Sequence, residues 1–204
     1  MLDTKPWRWK LANSSVARQA IVSSESEQLV LVDGNDNPVG FASKGDCHNG
    51  DGILHRAFSL FIFNDRGELL LQQRSGQKRL WPLYWSNSCC SHPRQGEELG
   101  EAIHRRLAQE LGMSSDLEFI YKFQYQASFG EEGSENELCS VFLGHAAGQV
   151  QANVNEVENW RWISPAALSA EIAANEEQFT PWFKMEWSRL HQEFSSQLRN
   201  YLKD

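Results

Sequence analysis

The chain has 204 residues, of which 41% are hydrophobic and 23% are charged, and its formal net charge is -8 at pH 7. This length suits one domain with a full hydrophobic core, and a second domain would be cramped. The negative charge argues against a nucleic-acid partner, which usually requires a basic face. No apolar run approaches the roughly 20 residues of a membrane helix, so we expect no membrane partner.

The N-terminus and the cysteines both indicate the cytoplasm. Residues 1–28 lack the apolar core of a secretory signal, and we predict an N-terminal extension whose tryptophans dock on the body. The four cysteines form no CxxC pair, and a disulfide between the adjacent Cys89 and Cys90 would be strained. We therefore expect reduced cysteines, a cytoplasmic protein and a single domain over 29–204.

The first half of the chain is predicted to be rich in β-strands. Residues 29–32 and 39–42 are apolar runs on either side of an Asp-Gly-Asn turn, which is typical of a hairpin. Residues 43–53 are polar and glycine-rich, which predicts a loop. The nearly continuous apolar run at 57–63 predicts a strand buried on both faces, with 69–73 as its partner.

The second half is predicted to mix helices and strands. Apolar residues at helical spacing predict a helix over 97–111, ending at a C-cap glycine, Gly112. Three further strands are predicted over 117–125, 137–143 and 154–163. Serine or threonine followed by proline predicts helix starts at Ser164 and Thr180, the latter opening a C-terminal helix over 181–202. The fold class is therefore α/β (α+β), with a mixed sheet sandwiched between helices.

The loop 87–93, Asn-Ser-Cys-Cys-Ser-His-Pro, concentrates reactive side chains between two regular elements. Such a position is typical of a functional site. The simpler interpretation is a buried, inert cysteine pair beside a surface histidine, since free cysteine packs as a small hydrophobe.

A metal site is one interpretation of the histidines and of an acidic pair. Glu135 and Glu137 are two apart in a predicted strand, so their carboxylates share a face. Together with His48, His55 and His92 they would make a nitrogen and oxygen site for zinc or manganese. The alternative is a solvated acidic edge and isolated loop histidines.

A second cation site is one interpretation of two residues on the predicted helix. Arg106 and Glu110 are four apart and would form a simple ion pair. Alternatively, Glu110 beside a loop carbonyl can hold magnesium, whose open positions accept phosphate oxygens. Basic residues would then complete a diphosphate cradle. These are Lys44, Arg74, Lys78 and Arg106.

The loop and helix together resemble a degenerate Nudix box. The matching pattern is Ser91-x5-Glu97-x7-Arg105-Arg106-Leu107-x-Gln109-Glu110-x-Gly112-Met113, against G-x5-E-x7-R-E-U-x-E-E-x-G-U with U aliphatic. The chain departs from it at Ser91, Arg106 and Gln109. The last two remove carboxylates with which Nudix hydrolases hold metals, which argues against diphosphate hydrolysis.

With these substitutions the chain resembles the type 1, non-flavin isopentenyl-diphosphate isomerases. Four further segments carry the resemblance: Leu54-His55-Arg56-Ala57-Phe58, Trp85 to Pro93, Glu135-Asn136-Glu137-Leu138-Cys139 and Pro181-Trp182. Their order and spacing match over roughly residues 29–190, with a Nudix core at about 53–185. The resemblance implies a Nudix-type mixed sheet between helices.

The resemblance also implies an activity and a set of site residues. The family interconverts isopentenyl and dimethylallyl diphosphate, so the partner would be a small isoprenoid diphosphate, and the chain a monomer or weak homodimer. The implied catalytic residues are Cys90, Glu137, Tyr125 and Trp182. The implied substrate contacts are Lys44, Arg74, Lys78, Ser91 and Arg106. The implied ligands of one Mn2+ or Zn2+ are His48, His55, His92, Glu135 and Glu137. Glu110 and the Cys90 carbonyl would hold Mg2+ against the diphosphate.

Two other functions remain open from the sequence. One is a Nudix hydrolase of a nucleoside or sugar diphosphate, which Arg106 and Gln109 disfavour and which does not explain Cys90 or Trp182. The other is a non-catalytic, metal-binding Nudix-like module, which the complete acid/base pair disfavours.

Overall fold

The computed structural model describes residues 20–203, so most of the predicted extension, residues 1–19 with its two tryptophans, lies outside the described residues. The strands are β1 (Gln28–Val32), β2 (Pro38–Ser43), β3 (His55–Phe63), β4 (Leu69–Arg74), β5 (Trp85–Ser86), β6 (Cys89–Ser91), β7 (Leu117–Ser128), β8 (Ser134–His145) and β9 (Val157–Ile163). The helices are α1 (Lys44–Cys47), α2 (Leu99–Leu111), α3 (Pro165–Ala174), α4 (Pro181–Glu193) and α5 (Ser195–Arg199).

Strand β3 is the centre of one mixed sheet. It pairs in parallel with β8 from His55 opposite Glu137 onward, and antiparallel with β6, where Ser59 lies opposite Cys90. Strand β7 extends the sheet beyond β8, and β4 joins β3 to β9. The pairing therefore brings the start of β3, the start of β8 and the Cys-Ser-His loop to the same end of the sheet.

Two hydrophobic clusters cover the two faces of the sheet, as the predicted sandwich requires. Alternate β3 residues point to opposite faces because side chains in a strand alternate. Phe61 and Phe63 pack with α4, whereas Phe58 and Ile62 pack with α2. The prediction that β3 is buried on both faces is confirmed, and so is the α2 stop at Gly112, which has the left-handed φ of 63°.

The predicted loop at 43–53 contains a short helix that the sequence analysis missed. The Ser43 side chain accepts a hydrogen bond from the Asp46 amide, which caps α1 (Lys44–Cys47). One turn of helix is too short to show an apolar period in the sequence. The cap fixes this turn, which begins at Lys44 and is followed directly by His48.

The predicted continuous C-terminal helix, 181–202, is wrong: it is interrupted at Phe194. This residue leaves helical geometry, with ψ at 28°, and its ring stacks on Tyr121 at 4.7 Å between centroids. Ser195 and Ser196 follow, and serine favours caps over helix interiors. The packing gained by the stacked ring therefore outweighs continuation of the helix, and α5 begins at Ser195.

The helices of residues 20–203 are all short. The two longest, α2 and α4, have 13 residues each, and among the described residues no helix has the length and apolar character needed to span a bilayer.

Candidate active site

A pocket of about 240 Å³ opens at the end of the sheet where β3, β6 and β8 meet. Its size suits a ligand smaller than a typical drug molecule. Nearly all the predicted site residues line it: Lys44, His48, Arg74, Lys78, Cys90, Ser91, His92, Arg106, Tyr125, Glu135, Glu137 and Trp182. The two others, His55 and Glu110, are buried directly behind this lining.

The three histidines and two glutamates form one cluster. All five are buried, and one potential ligand atom from each lies within 4.8 Å of all the others. The parallel register of β3 and β8 places His55 beside Glu137, and His92 Nε2 lies 2.8 Å from Glu137 Oε1. His48, at the end of α1, lies 3.0 Å from Glu135.

The donor atoms of this cluster fit a divalent metal ion. The His55 Nδ1–H donates to the Ile53 carbonyl at 2.7 Å, so the neutral ring turns an unprotonated Nε2 toward the cluster. Three buried atoms there, His48 Nε2, His55 Nε2 and Glu135 Oε2, make no hydrogen bond of regular geometry among the described residues. Buried polar atoms need partners, and a metal ion would satisfy all three.

The charge states of His55, His92 and Glu135 suit metal binding as well. At His48 burial lowers the pKa, but the Glu135 carboxylate outweighs burial and raises it, so a metal ion would take the place of that proton. Burial and the neighbouring imidazoles lower the pKa of His55 to about 4 and that of His92 to about 3, so both rings are neutral at pH 7. Burial opposes the ionisation of Glu135, but the His48 ring beside it holds the pKa of that carboxyl well below its usual range. Neutral imidazole and ionised carboxylate are the forms that ligate metals.

Glu137 combines a place in this cluster with a place at the pocket wall. Its Oε2 accepts a hydrogen bond of 2.6 Å from the Tyr125 hydroxyl, which the antiparallel β7–β8 register sets opposite. Burial, and then the charge of Glu135, raise the pKa of Glu137 to about 7. A carboxyl group with such a pKa can both accept and release a proton near neutral pH.

Cys90 lies in β6, with its thiol at the pocket wall. The thiol donates to the Asn87 Oδ1 at 2.8 Å and contacts the Ser59 Oγ of β3 at 3.4 Å. Burial raises its pKa well above the usual value, so it carries its proton at pH 7. Cys89 points to the opposite side and is fully buried against α2, so it is a packing residue.

Trp182, in the first turn of α4, forms an apolar wall of the pocket. Its indole N–H donates to the Ser86 Oγ at 3.1 Å, and its ring meets Trp81 edge-on at 5.2 Å. The Tyr125 ring lies 6.3 Å away. The guanidinium of Arg74 lies 5.2 Å from the centre of the Trp182 ring, so this face already favours a cation.

The predicted diphosphate contacts line the pocket, and its cations lie beside acceptor groups of the protein. Lys44 binds Ser23 and Glu25, and the Arg106 Nη1 donates to the Val22 carbonyl at 2.7 Å. Arg106 also pairs with Glu110 at 3.0 Å, as its i,i+4 spacing predicts. The cations are therefore held in place before any anion arrives.

The structure adds residues that the sequence analysis missed. Glu156 is buried and binds both Lys78 and Arg106, joining two cations that lie 28 positions apart in the chain. Asn87 and Ser59 contact the Cys90 thiol. Glu186 lies under the pocket. Glu156, Ser59 and Glu186 are common polar residues outside the motifs, whereas Asn87 lies within the Trp85 to Pro93 segment. Only the three-dimensional contacts reveal what the four residues touch.

Comparison with known proteins agrees with this architecture. Residues 53–183 match the family model of the NUDIX domain. The chain is 47% identical over 169 residues to isopentenyl-diphosphate Delta-isomerase 1 of Photorhabdus laumondii, covering 81% of this chain and 96% of that protein. It is 43% identical over 157 residues to isopentenyl-diphosphate Delta-isomerase of Serratia proteamaculans, covering 77% and 87%.

Solved structures share the fold at lower identity. A Deinococcus radiodurans protein superposes with a TM-score of 0.60 at 23% identity, over 72% of this chain and 90% of that one. With the family model and the curated relatives, the chain belongs to the NUDIX-domain proteins and, within them, to the isopentenyl-diphosphate Delta-isomerase family.

Proposed function

We propose that the chain interconverts isopentenyl and dimethylallyl diphosphate by protonating the alkene on one carbon and removing a proton from another. The observation that carries this proposal is the placement of a thiol, Cys90, and a carboxyl, Glu137, on one small pocket, with the Tyr125 hydroxyl bound to that carboxyl at 2.6 Å. Family membership supplies the substrate class.

The reaction requires an acid and a base facing one carbon skeleton. An unactivated alkene is a weak base, so its protonation needs a well-placed acid in a site that excludes water. We assign these roles to Cys90 and Glu137. The Tyr125 hydroxyl, bound to the Glu137 Oε2, orients that carboxyl and shares its proton.

The tertiary carbocation formed between the two proton transfers needs stabilisation. Trp182 presents its ring to the pocket, and a tryptophan face stabilises a desolvated cation by about 2 kcal/mol. Enzymes typically lower barriers by about 8–23 kcal/mol, so the ring assists the reaction without accounting for it. The larger share falls to positioning and proton transfer.

We infer that the histidine and glutamate cluster holds one Mn2+ or Zn2+. The ligands would be His48, His55, His92, Glu135 and Glu137. The bound ion supplies fixed positive charge that orients Glu137 and lowers its proton affinity.

The diphosphate would be bound without being cleaved. Lys44, Arg74, Lys78, Ser91 and Arg106 line the pocket and can bind its oxygens. Glu110, which is buried behind this lining beside Arg106, and the Cys90 carbonyl would hold Mg2+ against the diphosphate. Arg106 occupies a position where Nudix hydrolases carry a carboxylate, and a cation there favours retention of the diphosphate.

The cellular compartment and the oligomeric state are also part of the proposal. Its four cysteines are all free, which is consistent with the reducing cytoplasm. We propose a single functional domain over residues 29–204 that acts as a monomer or weak homodimer on a small molecule, without nucleic-acid or membrane partners.

Incubation with isopentenyl diphosphate, magnesium and manganese or zinc tests the proposal. The expected product is the acid-labile allylic diphosphate, with no phosphate released. Absence of that product from protein with a filled metal site would contradict the isomerase assignment. Release of phosphate or pyrophosphate from nucleoside or sugar diphosphates would instead support the hydrolase.

A further inference from the structure

One buried carboxyl group next to the pocket has no part in the chemistry described so far. Glu186 lies on α4 four residues after Trp182, so the two side chains share a helix face. Its side chain is 0% exposed. Among residues 20–203 its side chain forms no ion pair with a lysine, arginine or histidine. A buried carboxylate without a cation is costly, so the group favours its neutral, protonated form.

A chain of contacts joins this carboxyl to the thiol of Cys90. The Glu186 Oε1 lies 3.6 Å from the Cys139 Sγ, which lies 3.5 Å from the Ser59 Oγ. That hydroxyl is 3.4 Å from the Cys90 Sγ. Ser59 also acts directly on the pKa of Glu186. The four residues come from α4, β8, β3 and β6, and all are buried or half-buried.

The direction of hydrogen bonding along this chain follows from the number of protons. The Cys90 thiol has one proton, and it donates that proton to the Asn87 Oδ1 at 2.8 Å. At the Ser59 contact the sulfur must therefore be the acceptor, and the Ser59 hydroxyl the donor. The Ser59 oxygen then accepts from the Cys139 thiol, 3.5 Å away. Because that thiol also has one proton, the Cys139 sulfur is left to accept from the Glu186 carboxyl at 3.6 Å.

The charge of Glu186 decides whether this direction holds. A protonated carboxyl can donate to the Cys139 sulfur and leave the Cys139 thiol proton for Ser59. A carboxylate only accepts, so it would draw that thiol proton away from the Ser59 oxygen. Burial raises the pKa of Glu186 to about 8, against the opposing hydrogen bonds of Ser59 and Cys139. The titratable groups facing it are Cys139 and Glu137 on β8, Tyr121 on β7 and Cys90 on β6, and none is a cation.

We propose that Glu186 is a positioning residue for the isomerisation: as a neutral acid it acts through the Cys139 thiol to orient the Ser59 hydroxyl, which donates to the Cys90 sulfur. That hydrogen bond stabilises the thiolate that remains after Cys90 has given its proton to the alkene. No proton leaves Glu186 or Ser59 in this arrangement. The inference rests on the proposed role of Cys90.

Three substitutions test the proposal with isopentenyl diphosphate as the substrate. Glu186→Gln keeps the shape and a neutral donor, so kcat is expected to stay within about threefold of wild type. Glu186→Met keeps the volume but removes the donor, and kcat is expected to fall at least tenfold. KM should stay within about twofold in both, because the diphosphate contacts lie elsewhere. Glu193→Met, at an exposed position on the same helix, is the matched control and should match wild type.

Ser59→Ala tests whether Glu186 acts through Ser59. This variant is expected to lose kcat to the same extent as Glu186→Met, and the double variant should lose no more than either single one. Circular dichroism melting identifies variants that fail to fold. If Glu186→Met does not fold, Ser59→Ala and Glu186→Gln still decide the question.

Three results would overturn the proposal. They are full kcat in Glu186→Met or Ser59→Ala, losses that add in the double variant, and a Glu186→Gln protein as impaired as Glu186→Met. An inactive wild-type protein would refute the proposed function itself, which is a different outcome from an active wild type with unaffected variants.

Discussion

Cys89 and Cys90 are adjacent in sequence but have different surroundings. Strand alternation turns Cys89 into the core under α2 and Cys90 toward the pocket, where Asn87 and Ser59 bind its sulfur. One cysteine therefore packs and the other is available for chemistry. The resemblance to the isomerases implied a catalytic role for Cys90, whereas the two polar partners of its sulfur were not predicted.

Alanine substitutions at Cys90 and Cys89 distinguish the catalytic role of one thiol from the packing role of the other. Cys90→Ala is expected to lower kcat by at least a thousandfold, because general acid–base catalysis contributes about 10²–10⁴-fold and no other thiol lines the described pocket. Steady-state assays with isopentenyl diphosphate measure this loss. Cys89→Ala removes the same thiol group from the adjacent residue. This variant should retain kcat and lose about 1 kcal/mol in the free energy of unfolding. Equal losses in the two variants would contradict the assignment.

Glu186 gives the stability of the protein a specific pH dependence. Its folded-state pKa of about 8 lies above its ordinary value of 4.5, so the folded chain holds this proton more tightly than the unfolded chain does. The stabilising contribution is complete below pH 4.5 and is lost as the pH rises to about 8.

The Glu186→Gln variant lacks this loss because an amide does not ionise. It should therefore gain stability over wild type progressively between pH 4.5 and 8, reaching on the order of a few kcal/mol at about 1.4 kcal/mol per pH unit. Urea unfolding at several pH values measures the difference. Glu193→Gln is the exposed control, and a Glu186→Gln advantage independent of pH would show that the carboxyl is not buried as a neutral acid.

At the scale of elements, the cluster depends on a close approach between two loops. Gly133, just before β8, has a φ of 141°, and a Cβ there would lie 2.1 Å from the His48 carbonyl oxygen. The Ser134 amide donates to the same oxygen at 3.0 Å. Glycine at this position therefore lets the loop that carries His48 contact the strand that carries Glu135 and Glu137.

A pair of glycine substitutions tests this contact. Gly133→Ala is expected to displace the His48 loop and lower bound manganese or zinc severalfold, with turnover falling in parallel. Gly130→Ala, in the same loop and also at a positive φ, has no atom within 4 Å of the added Cβ, so it should keep its metal while losing about 1 kcal/mol. Metal analysis of both purified variants measures the contrast. Full metal content in Gly133→Ala would contradict it.

Elements differ in how well their sequences predict them. The apolar run of β3 and the two-residue spacing of Glu135 and Glu137 predicted a buried strand and a shared face, because period and burial are local properties. The break at Phe194 depends on stacking against Tyr121, a residue 73 positions earlier in the chain. Likewise, nothing local marks Glu186 or Glu156, since their importance depends on which strands lie opposite them.

For the whole molecule, metal binding at the histidine and glutamate cluster is expected to raise the free energy of unfolding. Five ligand side chains from separate segments are buried together, so an ion that binds only the folded state stabilises it by about 2.7 kcal/mol at a hundredfold excess over Kd. For a chain of this size that raises Tm by roughly 5–10 °C.

Thermal unfolding with and without a chelator measures the coupling. Chelation should lower Tm, and manganese or zinc should restore it. His48→Ala should abolish the response, whereas His104→Ala, on α2 outside the cluster, should retain it. A Tm that does not depend on metal in the wild-type protein would show that the cluster holds no ion.

The central claim is that protons enter and leave the substrate through different groups, Cys90 and Glu137. A single turnover of isopentenyl diphosphate in D2O, analysed by mass spectrometry and NMR, tests it most directly. Because the thiol proton exchanges with solvent, the product should be dimethylallyl diphosphate with one deuterium in a methyl group, and Cys90→Ala should form none. Product without deuterium would mean that hydrogen moves within the substrate, which would contradict the two-sided proton transfer.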